Sequence, residues 1–438
     1  MTIDTGQPAT RGDAPSVPAD LVAEYTAARP NSQRIFAQAT QLFPGGETRA
    51  VTHFAPFPTI VLEGHGSRLV DADGHSYLDL VNNYTSLIHG NAYPPITDAI
   101  AAAAATGTVF ASMHPAQMAL VEALIERVPA MESMRLTNSG SEASALGLRI
   151  ARRATGRRVL VVLEGGYHGA VAPFTPGEPE VRILPFGELD ALDALVDDEV
   201  AAVFAEPFLG AGGVIEVPTA YLRALRERAR QVGAIFVLDE VQSLRNEYHG
   251  VGARLDLDPD LVTVAKVIGG GLPIGGVGGR RELLELTSPF RAGRIAHSGT
   301  FNGHVVAAAA GLVSIEHLTP AAIGRLNSSA ATLAAGIEGA GAAAGFPVAV
   351  GRAGSILNVH PGEAPVPDPR TAKRHSTARA ALHLALLCEG LYTSTRGMIN
   401  LSTVLTDEEL TNAVAAYERA FRRLAPHAAS LLVDDDEQ

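Results

Sequence analysis

The sequence is poor in cysteine, tryptophan and aromatics: 438 residues hold one Cys and no Trp, and Phe, Trp and Tyr together make up 5%. Cys388 alone cannot form an intrachain disulfide, which excludes a disulfide framework and fits a reducing cytosol. Burial must come mainly from Ala, Val, Leu and Ile. The 14 histidines show no paired Cys/His spacing of the kind that builds a metal site, so no metal is expected. Positive charge is also in deficit, 34 Lys and Arg against 47 Asp and Glu for a net −13, which argues against a nucleic-acid or anionic-membrane surface. Long apolar runs are missing except at 261–279, LVTVAKVIGGGLPIGGVGG, where a central lysine and seven glycines speak against a spanning helix and for strand, loop and strand. No Walker A pattern, no G-x-G-x-x-G opening a helix after a strand and no G-x-S-x-G nucleophile elbow is found.

What is present points to a large folded core: 47% of residues are hydrophobic, with 44 Gly and 27 Pro as punctuation. Residues 1–30 mix Pro, Asp, Thr and Ala, lack the basic start and apolar stretch of a secretory signal, and read as a flexible arm leading into a helix. The last residues, including Asp434, Asp435, Asp436 and Glu437, read as a solvated acidic tail. Between about 115 and 280, helical and strand patterns alternate. Helices are expected over 116–128, over 142–154 with Gly156 as stop, and from a Thr219 cap to Gly233. Strands are expected over 134–138, 159–164, 200–206 and 234–239. Such alternation implies an α/β fold with a largely parallel sheet, whose ligands sit beyond the carboxyl ends of the strands. Residues 320–435 are Ala-rich and helical, with short strands near 347–350, 355–359 and 398–401, and with 31–75 suit a smaller α+β domain.

Four strand ends carry chemistry. Ser139-Gly140-Ser141-Glu142 opens a helix after a strand, with the S-x-x-E spacing of a capping box and free amides suited to a phosphate. Gly165-Gly166-Tyr167-His168-Gly169 offers a tight turn and an aromatic face for a flat ligand. Asp239, ending the most apolar strand, needs either a basic partner or a protonated ligand nitrogen, and Glu206 raises the same question. Lys266, between an apolar strand and Gly269-Gly270-Gly271, would be desolvated and available as a nucleophile or base. A phosphate cradle, an aromatic lid, a carboxylate for a ring nitrogen and an amine for an aldehyde together match pyridoxal 5′-phosphate.

The ordered runs TNSGSEA, EGGYHG, FAEPFLGAGG, VLDEVQ, AKVIGGGLPIGGVGG and HSGTFNG resemble those of fold-type I, class III aminotransferases over about residues 35–425. FPGGETRAVTHFAPFP and STRGMINLS bring the chain nearest to the β-phenylalanine (β-amino acid) aminotransferases, with glutamate-1-semialdehyde aminomutases also similar. The resemblance implies a mostly parallel seven-stranded sheet in a large domain over 81–325. A small domain would come from 31–80 and 326–430, between the arm (1–30) and the tail (431–438). It implies that Lys266 forms the Schiff base with pyridoxal phosphate and shuttles the proton. Asp239 would hold the ring nitrogen protonated, Tyr167 and Val241 would flank the ring, and Gln242 would lie near its 3′ oxygen. Ser139, Gly140 and Ser141 would take the phosphate together with Thr300 from the other subunit of a homodimer, with His168 and Glu206 also at the cofactor. Arg49 is implied to bind the substrate carboxylate and Arg396 to swing between a side chain and the distal carboxylate of 2-oxoglutarate, with Tyr84 as a further pocket residue.

The implied reaction is ping-pong transfer of the amino group of a 3-amino-3-aryl or 3-amino-3-alkyl propanoate to 2-oxoglutarate or pyruvate, through pyridoxamine phosphate. The alternatives are an aminomutase of the glutamate-1-semialdehyde kind, an ω-aminotransferase for other amines, and a cofactor-fold protein kept as a binding module. The chain departs from many relatives at His89-Gly90-Asn91-Ala92-Tyr93-Pro94 and at Ser-Leu-Arg-Asn-Glu-Tyr after Gln242.

Overall fold

The computed structural model describes residues 16–174, 177–362 and 364–433, so the acidic residues 434–437 lie outside the described part. Its centre is a seven-stranded sheet: β1 (Ser133–Thr137), β2 (Val159–Leu163), β3 (Val181–Leu184), β4 (Val200–Ala205), β5 (Ile235–Asp239), β6 (Leu261–Ala265) and β7 (Gly275–Gly279). The spatial order is β1-β7-β6-β5-β4-β2-β3. Neighbours from β3 to β6 pair in parallel, while β7 runs antiparallel to both β6 and β1. Every residue of β4 and of β6 is buried, as expected of parallel strands covered on both faces. The apolar stretch 261–279 accordingly folds as strand, loop and strand inside this sheet.

β7 is Gly-Gly-Val-Gly-Gly, a poor strand former by propensity. It is tolerated because backbones crowd it: a Cβ on Gly275 would stand 2.3 Å from the Ser139 carbonyl oxygen. β3 has no counterpart in the sequence reading, since Val-Arg-Ile-Leu is short, carries a charge and sits at the sheet edge.

The helix Gly140–Thr155 closes on Gly156 at φ 71° and the helix Thr219–Val232 on Gly233 at φ 70°, both left-handed caps. Thr219 does not cap its helix. Pro218 occupies the boundary position, which places Thr219 inside the first turn without a capping bond. The Ser139–Glu142 box is half made: Ser139 Oγ accepts from the Glu142 amide at 3.2 Å, but the Glu142 carboxylate accepts from the Asn138 amide instead.

A three-stranded sheet (Val348–Ala353, Ile356–Pro361, Met398–Asn400) and a four-stranded one (Val61–His65, Arg68–Asp71, Ser76–Asp79, Leu391–Tyr392) stand beside the large sheet. The chain segments before and after the central region therefore meet in one small sheet, through Leu391 pairing with Leu78. The expected arm over 1–30 extends too far. Ala19–Ala28 is a helix whose Leu21 and Tyr25 are fully buried, with the Tyr25 hydroxyl donating to the Phe57 carbonyl at 2.9 Å. Seven of its ten residues are apolar, and the two that are buried, Leu21 and Tyr25, dock it. Among the described residues no single helix is long and apolar enough to cross a membrane.

Candidate active site

A cavity of about 680 Å³ opens at the carboxyl ends of the sheet strands, where a parallel sheet leaves helix N-termini and loop amides unpaired. Ser139, Gly140 and Ser141 enter it after β1, Tyr167 and His168 after β2, Glu206 after β4, Asp239, Val241 and Gln242 from β5, and Lys266 after β6. Arg49, Tyr84 and Arg396 reach the same cavity from outside the large sheet. Thirteen of the fourteen sequence-selected residues thus converge; Thr300 is exposed and is not part of this chain's cavity lining.

Asp239 is buried and fully engaged. Oδ1 accepts from the Val241 amide at 3.0 Å, and Oδ2 pairs with His168 Nδ1 at 2.8 Å. The basic partner expected for a strand-end carboxylate is therefore a histidine. Burial pushes the His168 imidazole down, but its hydrogen bond to Asp239 and the charges of Asp239 and Glu206 outweigh this and raise it. The ring is wedged edge-on against Phe204 and Phe174, and its Nε2 is buried without a partner. Glu206 accepts from the Tyr167 amide at 3.0 Å; burial pushes its carboxyl up to about 7, against the pull of His168.

Of the chain's 34 basic side chains only Lys266 and Lys373 are lysines, and Lys373 is exposed elsewhere. Lys266 sits at φ +54° where β6 breaks into a short 3-10 turn, a left-handed conformation that costs a non-glycine residue about 1–2 kcal/mol. The turn is fastened by the Ser314 hydroxyl, which donates to the Val267 carbonyl at 2.8 Å. Burial pushes the Lys266 amine down, opposed by Asp239 and Glu206, so the neutral nucleophilic form becomes accessible.

Arg49 and Arg396 both line the cavity, and among the described residues neither has a carboxylate within ion-pair distance. Arg49 Nη1 donates only to Asn83 Oδ1, at 2.9 Å. Both charges act on Tyr84: burial pushes its phenol up and the two guanidinium groups pull it down.

The family model for class III aminotransferases matches residues 50–174 and 180–421. The chain belongs to the class III aminotransferases. The aminotransferase is 38% identical over 409 residues to the beta-phenylalanine transaminase of Variovorax paradoxus, covering 91% of this chain and 94% of that one. It is 36% identical over 390 residues to the glutamate-1-semialdehyde 2,1-aminomutase of Thermomicrobium roseum, covering 82% and 90%. A solved beta-phenylalanine aminotransferase from Variovorax paradoxus superposes with a TM-score of 0.88 at 37% identity, over 94% of this chain and 97% of that one.

The aminotransferase depends on pyridoxal 5′-phosphate, and its residues fit that group. The amides of Gly140 and Ser141, first in a 16-residue helix, have no acceptor within it, as a phosphate requires. A Cβ at Gly140 would come within 3.2–3.4 Å of Val241 and Ala265, so glycine keeps this floor open. Tyr167 is 51% exposed and lines the cavity, and Gln242 Oε1 is buried without a partner among the described residues.

Sequence reasoning missed Asn83, Asn358, Ser394 and Met398, which close the cavity from the smaller sheets. Only Asn83 had a local signal. It follows Asn82, and Asn-Asn is a pair that tolerates positive φ; the turn Asn82–Thr85 indeed has four consecutive left-handed residues.

Proposed function

We propose that the aminotransferase moves the amino group of a β-amino acid, a 3-amino-3-aryl or 3-amino-3-alkyl propanoate, to 2-oxoglutarate or pyruvate by a ping-pong reaction. The observation that carries this reading is the pair of unpaired guanidinium groups, Arg49 and Arg396, in the cavity of Lys266. Pyridoxal phosphate, when bound, supplies an aldehyde that takes up the amine and an electron-poor ring that makes the adjacent carbon acidic.

The chain does the rest. Lys266 Nζ would hold the cofactor aldehyde and, as a free amine, takes the proton from carbon 3 of the donor. Asp239, held by His168, keeps the ring nitrogen protonated. Tyr167 and Val241 would flank the ring, with Gln242 near its 3′ oxygen and Glu206 also at the cofactor. Ser139, Gly140 and Ser141 bind the phosphate together with Thr300 of the partner subunit. Thr300, exposed and outside this chain's own cavity lining, supports a homodimer that shares its active sites. Arg49 takes the donor carboxylate, and Arg396 turns in to take the distal carboxylate of 2-oxoglutarate while Tyr84 bounds the pocket. Residues 81–325 act as the cofactor domain, with 31–80 and 326–430 as the smaller one.

The similarity to glutamate-1-semialdehyde 2,1-aminomutases supports an isomerase as the second reading. Rapid mixing of the holoenzyme with 3-amino-3-phenylpropanoate alone separates the two. The absorbance of the pyridoxal form should give way to that of pyridoxamine phosphate and return on adding 2-oxoglutarate or pyruvate. No change with any β-amino acid, together with isomerisation of the semialdehyde without a keto acid, would overturn the reading.

A further inference from the structure

Behind Arg49 lies a second cavity of about 220 Å³. It shares Arg49, Asn83, Tyr84 and Ser394 with the catalytic cavity, so these four residues form a common wall. The guanidinium of Arg49, exposed and bonded to Asn83, borders both cavities. Past it the lining combines Phe54, Leu69, Val81 and Leu87 with several hydroxyl and amide side chains, and the buried Asp79 and His383 stand among them.

The polar groups restrict what can enter. Asp79 already accepts from the Val81 and Asn82 amides at 2.9 and 2.8 Å and from Asn91 Nδ2 at 2.9 Å. Its charge disfavours an anion, while Arg49 at the mouth disfavours a cation. His383 is buried, its ring edge-on to Phe54 at 4.5 Å. Nδ1 has only a long contact of 3.4 Å to Thr393 Oγ1, and Nε2 has no partner among the described residues. Burial pushes this imidazole down to about 3, so at working pH it offers one donor and one acceptor. A hydroxyl satisfies either nitrogen because it both donates and accepts. For size, a cavity of about 150 Å³ already admits benzene.

We propose that this annex is a substrate subsite for an uncharged, mainly apolar group on carbon 2 of the β-amino acid, an aryl-bearing chain ending in a hydroxyl. The inference rests on Arg49 holding the donor carboxylate. Carbon 2 carries that carboxylate, so a substituent there leaves beside Arg49 and enters the annex, whereas a group on carbon 3 stays near Lys266. The annex thus discriminates among β-amino acids by their second carbon, and His383 supplies the polar end of the selection.

The test uses the holoenzyme with two donors, 3-aminobutanoate and its 2-(4-hydroxybenzyl) derivative, and the amine-free acid 3-(4-hydroxyphenyl)-2-methylpropanoate as a calorimetric probe. Val61→Phe, which fills the annex, should lower kcat/KM for the substituted donor by about tenfold or more while 3-aminobutanoate is turned over as before. Leu87→Phe serves as a second filler should Val61→Phe fold poorly. His383→Leu should remove the preference for the hydroxybenzyl over the benzyl donor, and the probe should bind wild type about tenfold more tightly than Val61→Phe. Fillers that leave the two donors in their wild-type ratio, with unchanged probe binding, overturn the annex while the β-amino acid reading stands. If neither donor nor 3-amino-3-phenylpropanoate reacts, that reading fails, and loss of probe binding on filling then upholds the annex as a subsite for substituted carboxylic acids.

Discussion

At Lys266, strain and burial act on one side chain. The left-handed backbone turns the amine out of the strand direction, and desolvation by the cavity walls lowers its proton affinity, opposed by Asp239 and Glu206. The group that orders this balance is His168, whose buried imidazole fixes Asp239 through its Nδ1. His168→Phe keeps an aromatic of similar volume but deletes a hydrogen bond to a charged carboxylate, worth about 1.5–3 kcal/mol. The expected result is a fall in kcat of about 10- to 100-fold with little change in KM for the donor, read by steady-state kinetics. A matching fall on His168→Phe in cofactor affinity alone would assign the residue to binding instead.

His383 makes a second prediction at the same scale. Its folded value of about 3 lies below the ordinary 6.5, so the unfolded chain binds a proton that the folded chain refuses. Stability is therefore whole above about pH 6.5 and is lost as pH falls toward 3. In His383→Leu that contribution is absent. Urea midpoints measured from pH 7 to pH 5 should fall less steeply for the variant than for wild type, and parallel slopes would show that the imidazole titrates normally.

Among the elements, the turn Asn82–Thr85 is the least expected. Four successive residues at positive φ cost about 1–2 kcal/mol each for ordinary side chains, less for asparagine. The expense is offset by a web of hydrogen bonds: Asn82 Nδ2 donates to the Asn400 carbonyl at 2.6 Å, Asn400 Nδ2 to the Val81 carbonyl at 3.0 Å, and Asp79 Oδ1 takes two amides. What the turn achieves is to carry Asn83 against Arg49. Asn83→Ala should leave the guanidinium unaimed, raising KM for the amino donor by about tenfold with kcat within a few-fold, since about 1–1.5 kcal/mol of positioning is removed. Equal losses in kcat and KM would point to a disturbed cavity rather than a misplaced arginine.

Over the whole molecule, what could be read in the sequence follows from what is local. The buried strands stood out as apolar runs closed by glycine or a polar residue, and the cavity's cofactor side was legible because each of its groups ends such a run. β7 was legible only as the second strand of the apolar stretch 261–279, its glycines explained by backbone crowding, and β3 was hidden as a short, partly exposed edge. Asn358, Ser394 and Met398 had no local signal, because only the docking of the three-stranded sheet brings them to the cavity. The N-terminal helix was read as an arm because its buried Leu21 and Tyr25 acquire meaning only in the assembled core, Tyr25 against Phe57 far along the chain.

The scarcity of lysine has a consequence for how the protein meets its cofactor. Free pyridoxal phosphate forms reversible adducts with any accessible amine, and a lysine-rich surface would compete with the active centre for it. This chain presents one surface lysine, Lys373, and places arginines, which cannot form such adducts, nearly everywhere else. Loading is thereby channelled to Lys266, so that the number of cofactor molecules the chain holds reports almost directly on the occupancy of a single position.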